Sequence, residues 1–250
     1  MSPFGRTFVD GDRIEIAGAV IRLKVHPRAR RVSLRLDRSR REVVATAPSP
    51  RRLGEAAAFA RDRIDWIAAR LGELPQAEPL VPGAELSLMG RPVRLVHQAG
   101  RARWRPAEEG RSAEITAQGE GEGFARAVQR LLRKQALEGL TALTRIHAEA
   151  LGAPMPKVVL TDARSRWGSC KPPTGGQPAV IRYSWRLALA PLPVADYVAA
   201  HECAHLRELN HGPRFWALVE TLVGDPAPHR AWLRTHGARL HAIGVDGAGQ

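Results

Sequence analysis

Apolar residues alternate with basic ones from Ala19 to Val25 and again from Arg31 to Leu36, the period-two pattern of half-buried strands, with Arg28-Ala29-Arg30 as a turn. Glu42 to Ala47 reads as a third strand, closed by Pro48-Ser49-Pro50. From Leu53 to Leu71 the period lengthens to that of one helix, with Ala57, Ile64, Ile67, Ala68 and Leu71 inward. Pro75 to Pro82 is a linker. Glu85 to Met89 and Val93 to His97 flank Gly90-Arg91-Pro92 as a hairpin, and the polar stretch from Ala107 to Gly123 leaves room for one short strand near Glu114 to Ala117. A long helix is predicted from Gly123 to Leu151, with Phe124, Val128, Leu132, Leu137 and Leu140 in its stripe. Gly152, Pro154 and Pro156 end it.

Beyond it, Lys157 to Thr161 and Ala179 to Trp185 read as strands around an Arg-, Gly- and Pro-rich loop from Asp162 to Gly176. Three helices follow, about Leu192 to Leu209, Pro213 to Leu222 and Pro226 to His236. Gly212-Pro213 and Asp225-Pro226 place a permissive cap before a proline at the first helical position, and Gly224 and Gly237 end the last two helices. The pattern gives an α+β chain with no internal repeat. A β-rich N-terminal region with one helix is expected over 1–120, and a second domain over 121–245.

Composition narrows the class. At 250 residues and 44% hydrophobic, the chain can bury a core without disulfides. The cysteines, Cys170 and Cys203, form no framework, the first residues lack an apolar signal segment, and Leu187 to Ala200 is too interrupted to span a bilayer. A cytoplasmic protein with no membrane partner is expected. The net charge of +13 invites a nucleotide or nucleic-acid partner. However, only Lys24, Lys134, Lys157 and Lys171 among 38 basic residues are lysine, which reads as the coding bias of a GC-rich genome.

The chemistry lies in Tyr197-Val-Ala-Ala-His-Glu-Cys-Ala-His205, an H-E-x-x-H segment. Residues four apart share a helical face, so His201 and His205 can offer ring nitrogens to one metal ion. Glu202, about 100° round the helix, lies beside the metal, where its carboxylate can take a proton from water that zinc has made acidic. Val198, Ala200 and Ala204 mark a buried helix, in which His and Glu need a partner. A third ligand is required. His211, ten residues after His201, can reach the ion only if the helix ends and the chain turns back, a role suited to Asn210. Glu220, His229 and His236 are rivals.

Five segments in order carry a resemblance: Arg164-Ser-Arg-Trp-Gly-Ser-Cys170, Tyr183-Ser-Trp-Arg-Leu187, the H-E-x-x-H segment, Asn210-His211-Gly-x-x-Phe-Trp216 and Trp232-Leu233. Over residues 155–240 this set resembles the YgjP-like metallopeptidase family, relatives of the SprT-like and WLM zincins. Metzincins share the histidine spacing but have Gly where this chain has Glu208, and no Met follows Met155 to make their turn. The resemblance implies a zincin-like C-terminal domain, with the metal-bearing helix packed on a small sheet. It also implies zinc on His201, His205 and His211, with Glu202 as base. Where the family motif commonly has Leu, Cys203 should face the core as a small hydrophobe.

Around this centre several readings stay open. Arg164 and Arg166 could stabilise an oxyanion or grip a carboxylate or phosphate, or Arg166 could pair with a buried acid such as Glu208. Tyr197, one turn before the first ligand, is either an auxiliary hydrogen-bond donor or core. Cys170 lacks a visible base, and Trp185, Phe215, Trp216 and Trp232 read as core. Ala179 to Trp185 is the strand expected to pair with an extended peptide. Three functions compete: a zinc metallopeptidase acting on a peptide or protein, a metal-dependent hydrolase of nucleotides or phosphate esters, and a nucleic-acid-associated module with a structural metal.

Overall fold

Alternate burial of small and β-branched residues builds the first sheet. Its strands are β1 (Arg13–Ile16), β2 (Ala19–Val25), β3 (Ser33–Asp37) and β4 (Glu42–Ala47), in the order β1-β2-β4-β3. β2 and β4 are parallel, and the outer pairs are antiparallel. Ala19, Ile21 and Leu23 point into the core, where α1 (Leu53–Asp62) and α2 (Ile64–Gly72) cover them. The single helix expected here breaks at Arg63, whose φ of −111° and ψ of 23° leave the helical region. Neither Gly nor Pro stands at the break, so the pattern runs through it unmarked. This computed structural model describes residues 7–37, 42–163 and 165–244.

The chain divides into two units after Gln76. The second unit opens with β5 (Glu85–Leu88), β6 (Arg91–His97), β7 (Arg103–Arg105) and β8 (Ala113–Ala117), in the order β5-β6-β8-β7. Inward residues Val93, Leu95 and Ile115 share a core with Phe124, Val128 and Leu132 of α3 (Gly121–Ala150). That shared core places residues 77–120 with the C-terminal elements, whereas the sequence pattern put a boundary at 120. Leu137 departs from the expected stripe and is exposed. The first two sheets have the same strand order and the same parallel and antiparallel pairings.

The third sheet carries the chemistry. It holds β9 (Lys157–Thr161), β10 (Gly168–Lys171) and β11 (Val180–Ser184), in the order β10-β11-β9. β11 is therefore central and cannot receive a peptide; the expectation that Ala179 to Trp185 forms an edge is corrected. The edges are β9 and β10, and β10 is hidden in a segment whose Arg, Gly and Pro content reads as loop. Ile181 and Tyr183 point into a core made with α3 and α4 (Leu192–Ala204), and Arg182 points out the other side. α5 (Pro213–Val223) and α6 (Ala227–Ala242) complete the unit. α6 runs on through Gly237, which is a packing residue and not the expected helix end: a Cβ there would come 3.0 Å from the Trp167 indole. Among the described residues the fold is α+β, with small mixed sheets and six helices, none long and apolar enough to cross a membrane.

Behind the third sheet sits a buried charge. Arg186 is 1% exposed, donates to Ile243 O at 3.3 Å, stacks over Trp185 at 4.5 Å and is paired with Asp162. Asp162 also accepts from Trp185 Nε1 at 3.1 Å. Asp162→Ala would take the carboxylate away from this buried guanidinium. We expect a loss of about 2–3 kcal/mol, the lower side of what breaking a buried pair costs, because Asp162 is 44% exposed. A lowered denaturant midpoint measures it; an unchanged midpoint would show that Arg186 is satisfied without Asp162.

Candidate metal centre

α4 follows Pro191 and is buried on most of its surface, from Val194 to Ala204. His201 and His205, one turn apart, are half-buried, with ring centroids 5.2 Å apart. The helix ends at Ala204, five residues before the expected Leu209, and the chain turns at once. Leu206 N–H donates to Cys203 O, and those of Arg207 and Glu208 donate to Ala204 O. Arg207 pins this turn by donating to Leu151 O and Gly152 O, at 2.7–3.1 Å, at the end of α3. The reversal thus starts at His205 rather than at Asn210, and it returns His211 to the helix. His211 Nε2 stands 3.1 Å from His201 Nε2.

The ligand atoms of His201, His205 and His211 all lie within 4.8 Å of one another. Donors about 2.0–2.1 Å from one tetrahedral zinc stand about 3.3–3.4 Å apart, so this donor set suits such an ion. The rings are prepared for ligation. His205 Nδ1 donates to Glu208 O at 3.0 Å, which fixes the tautomer and leaves Nε2 as the lone-pair donor. Burial, then the neighbouring histidines and Arg230, push His201 down to about 4. Burial likewise lowers His205. Neutral imidazoles are what a metal requires. Glu220, His229 and His236 lie outside the cluster.

Glu202 is 5% exposed and faces β10 instead of the histidines. A Cβ built on Gly168 would lie 2.6 Å from Glu202 Cγ and 2.7 Å from Cδ, so only glycine leaves room for this carboxylate. Burial raises Glu202 to about 7, against the opposing charge of Arg166 and a hydrogen bond from the Cys170 backbone N–H. The acid that feels Arg166 is therefore Glu202, not Glu208. Arg164 lies outside the described residues. Tyr197 is buried, with its ring 6.0 Å from His201 and 5.8 Å from His229. Burial first raises its hydroxyl, which the charge of Arg230 lowers in turn.

Burial, followed by the charge of Glu202, lifts the Cys170 thiol to about 11, which makes it a poor nucleophile. Cys203 is fully buried, its thiol near Thr144 O at 3.6 Å. Three residues escaped the sequence reading. Phe215 is core as expected, yet its ring lies 4.5–4.8 Å from all three histidines. Its place four residues after His211 on α5 was the available signal. Arg230 reaches the cluster from α6 and stacks over Trp216 at 4.9 Å, which nothing local announces. Gly168 fell within a stretch that reads as loop.

A family model described as "YgjP-like, metallopeptidase domain" matches residues 30–236. The chain belongs to the YgjP-like metallopeptidase family. The match takes in the whole histidine cluster and extends upstream to β3, well beyond the 155–240 over which the sequence motifs carried the resemblance. Comparison with curated proteins and with solved structures returned no match. Membership supports a metal-dependent hydrolase of the peptidase type, and the histidine cluster is where a metal could be held.

Proposed function

We propose that this YgjP-like protein is a zinc metallopeptidase of the zincin type, with His201, His205 and His211 as ligands and Glu202 as general base. One observation carries the reading: three imidazoles converge, while the adjacent carboxylate stays out of their cluster and is pushed up to about 7 by burial. Zinc bound there supplies Lewis acidity and makes water acidic enough to lose a proton near pH 7. Glu202 takes that proton and returns it to the leaving amine; a pKa near the working pH suits both transfers. Gly168 and the Cys170 N–H hold the carboxylate in place. The edge of β10 beside Glu202 can pair with an extended peptide. A structural metal is disfavoured because the cluster has three ligand side chains among the described residues, and catalytic zinc keeps a position open.

Elemental analysis and a hydrolysis panel of unfolded proteins, peptides and nucleoside triphosphates test this together. About one zinc per chain, with chelator-sensitive cleavage of peptides, is expected. Turnover of triphosphates alone would make the protein a phosphohydrolase, and no bound metal would remove the basis of the reading. Arg166 gives a pH test. Its charge lowers Glu202, so Arg166→Gln lets the carboxyl rise further. A base must be deprotonated, so the acidic limb of kcat/KM should move to higher pH. An unmoved limb would detach either Arg166 or Glu202 from the rate.

A further inference from the structure

A cleft opens on the other face of β10, lined by two arginines and no carboxylate. The strand register sorts the faces. Ile181 and Tyr183 point toward α3 and α4, so Arg182 and Ser184 point away. Ser169 pairs with Arg182 across the ladder, so it shares their face. With Arg166 and Gly168 these residues line a cleft of about 320 Å³ that contains no acidic side chain. Neither Arg166 nor Arg182 has an ion pair among the described residues. Ser184 is 1% exposed, and its Oγ has no hydrogen-bond partner among them. A buried hydroxyl left unpaired is costly, and two guanidiniums beside it prefer an anion they can grip with paired N–H groups.

Gly168 joins this cleft to the metal centre. It lines the cleft, while its Cα faces the Glu202 carboxylate on the opposite side of the strand. Along an extended peptide paired with β10, successive side chains point to opposite faces. If one residue faces Glu202, its neighbours in the chain face the arginines. We infer that this cleft is a specificity subsite, in which Arg166, Arg182 and Ser184 bind the carboxylate of an Asp or Glu side chain close to the scissile bond. The inference rests on the peptidase reading and names the substrate class that reading leaves open.

Binding tests it without turnover. Zinc-loaded, full-length Glu202→Gln protein would be titrated with fluorescein-labelled nonapeptides in which one Glu, or Gln as control, is walked through every position. At one register the Glu peptide should bind about tenfold more tightly than its Gln twin, as a charge-assisted pair gives. Adding Arg182→Gln should erase that preference, so that Glu and Gln peptides bind alike. Ser184→Ala, with zinc content and melting temperature retained, should weaken it in part. Equal binding of Glu and Gln peptides at every position, or a preference that survives Arg182→Gln, overturns the subsite. So does Arg182-dependent binding of ATP without any acidic-peptide preference, which would make the anion a phosphate. If the preference holds but the native protein cleaves none of these peptides, the peptidase reading fails and the subsite stands.

Discussion

Replacing Glu202 with Gln should cut kcat by about a thousandfold while zinc content stays at one ion per chain, since a positioned general base contributes about 10²–10⁴. The amide keeps the shape of the side chain against Gly168 and loses only the ability to take a proton. The three imidazoles stay as they are, so metal affinity should not follow activity. Elemental analysis beside single-turnover kinetics separates the two. If metal is lost along with activity, Glu202 supports the ligands structurally. If activity survives, the base lies elsewhere and the assignment falls.

Gly168→Ala should also be damaging, with metal content unchanged, because a Cβ at residue 168 meets Glu202, which stands outside the histidine cluster. The backbone there has no need of glycine's freedom, because its φ lies outside the left-handed region. The cost is entirely steric: a Cβ within 2.6–2.7 Å of Glu202 Cγ and Cδ must drive the carboxylate from its place. We expect kcat to fall about a hundredfold, as displacements of about 1 Å at a reacting group do, and stability to fall by about 1–3 kcal/mol from overpacking. A double-mutant cycle is decisive. On a Glu202→Gln background, Gly168→Ala should cost little further activity, because the two act through one group. Independent, additive losses would mean that Gly168 matters for something other than holding the base.

Local signals explain much of what was legible. The prolines at the start of α5 and α6, the alternation in β2 and β3, and the apolar stripe of α3 are short-range features, and these elements begin where the pattern puts them within a few residues. The misses share one cause. β10 is a strand only because β11 offers it a ladder partner. α4 stops at Ala204 because Arg207 finds carbonyls at the end of α3. Gly237 sits inside α6 as the residue that leaves room for Trp167. Each is settled by a residue far away in the chain, which no window of sequence contains.

The same division runs through the site. Spacing by itself put His201 and His205 on one face and turned Glu202 aside from them, because helical periodicity is a local law. It also offered His211 as a third donor, beside Glu220, His229 and His236, and required a reversal to bring it in. Tertiary structure decided where that reversal begins, set Phe215 beneath all three rings, and aimed Arg230 at them from α6. It also determined that Glu202 should lie in a slot cut by a missing Cβ on β10, buried enough to rise to about 7. Ligand geometry follows from covalent and helical regularity, which the chain writes out in order. The protonation state of a buried acid follows from what surrounds it, and those surroundings are assembled only when the chain folds.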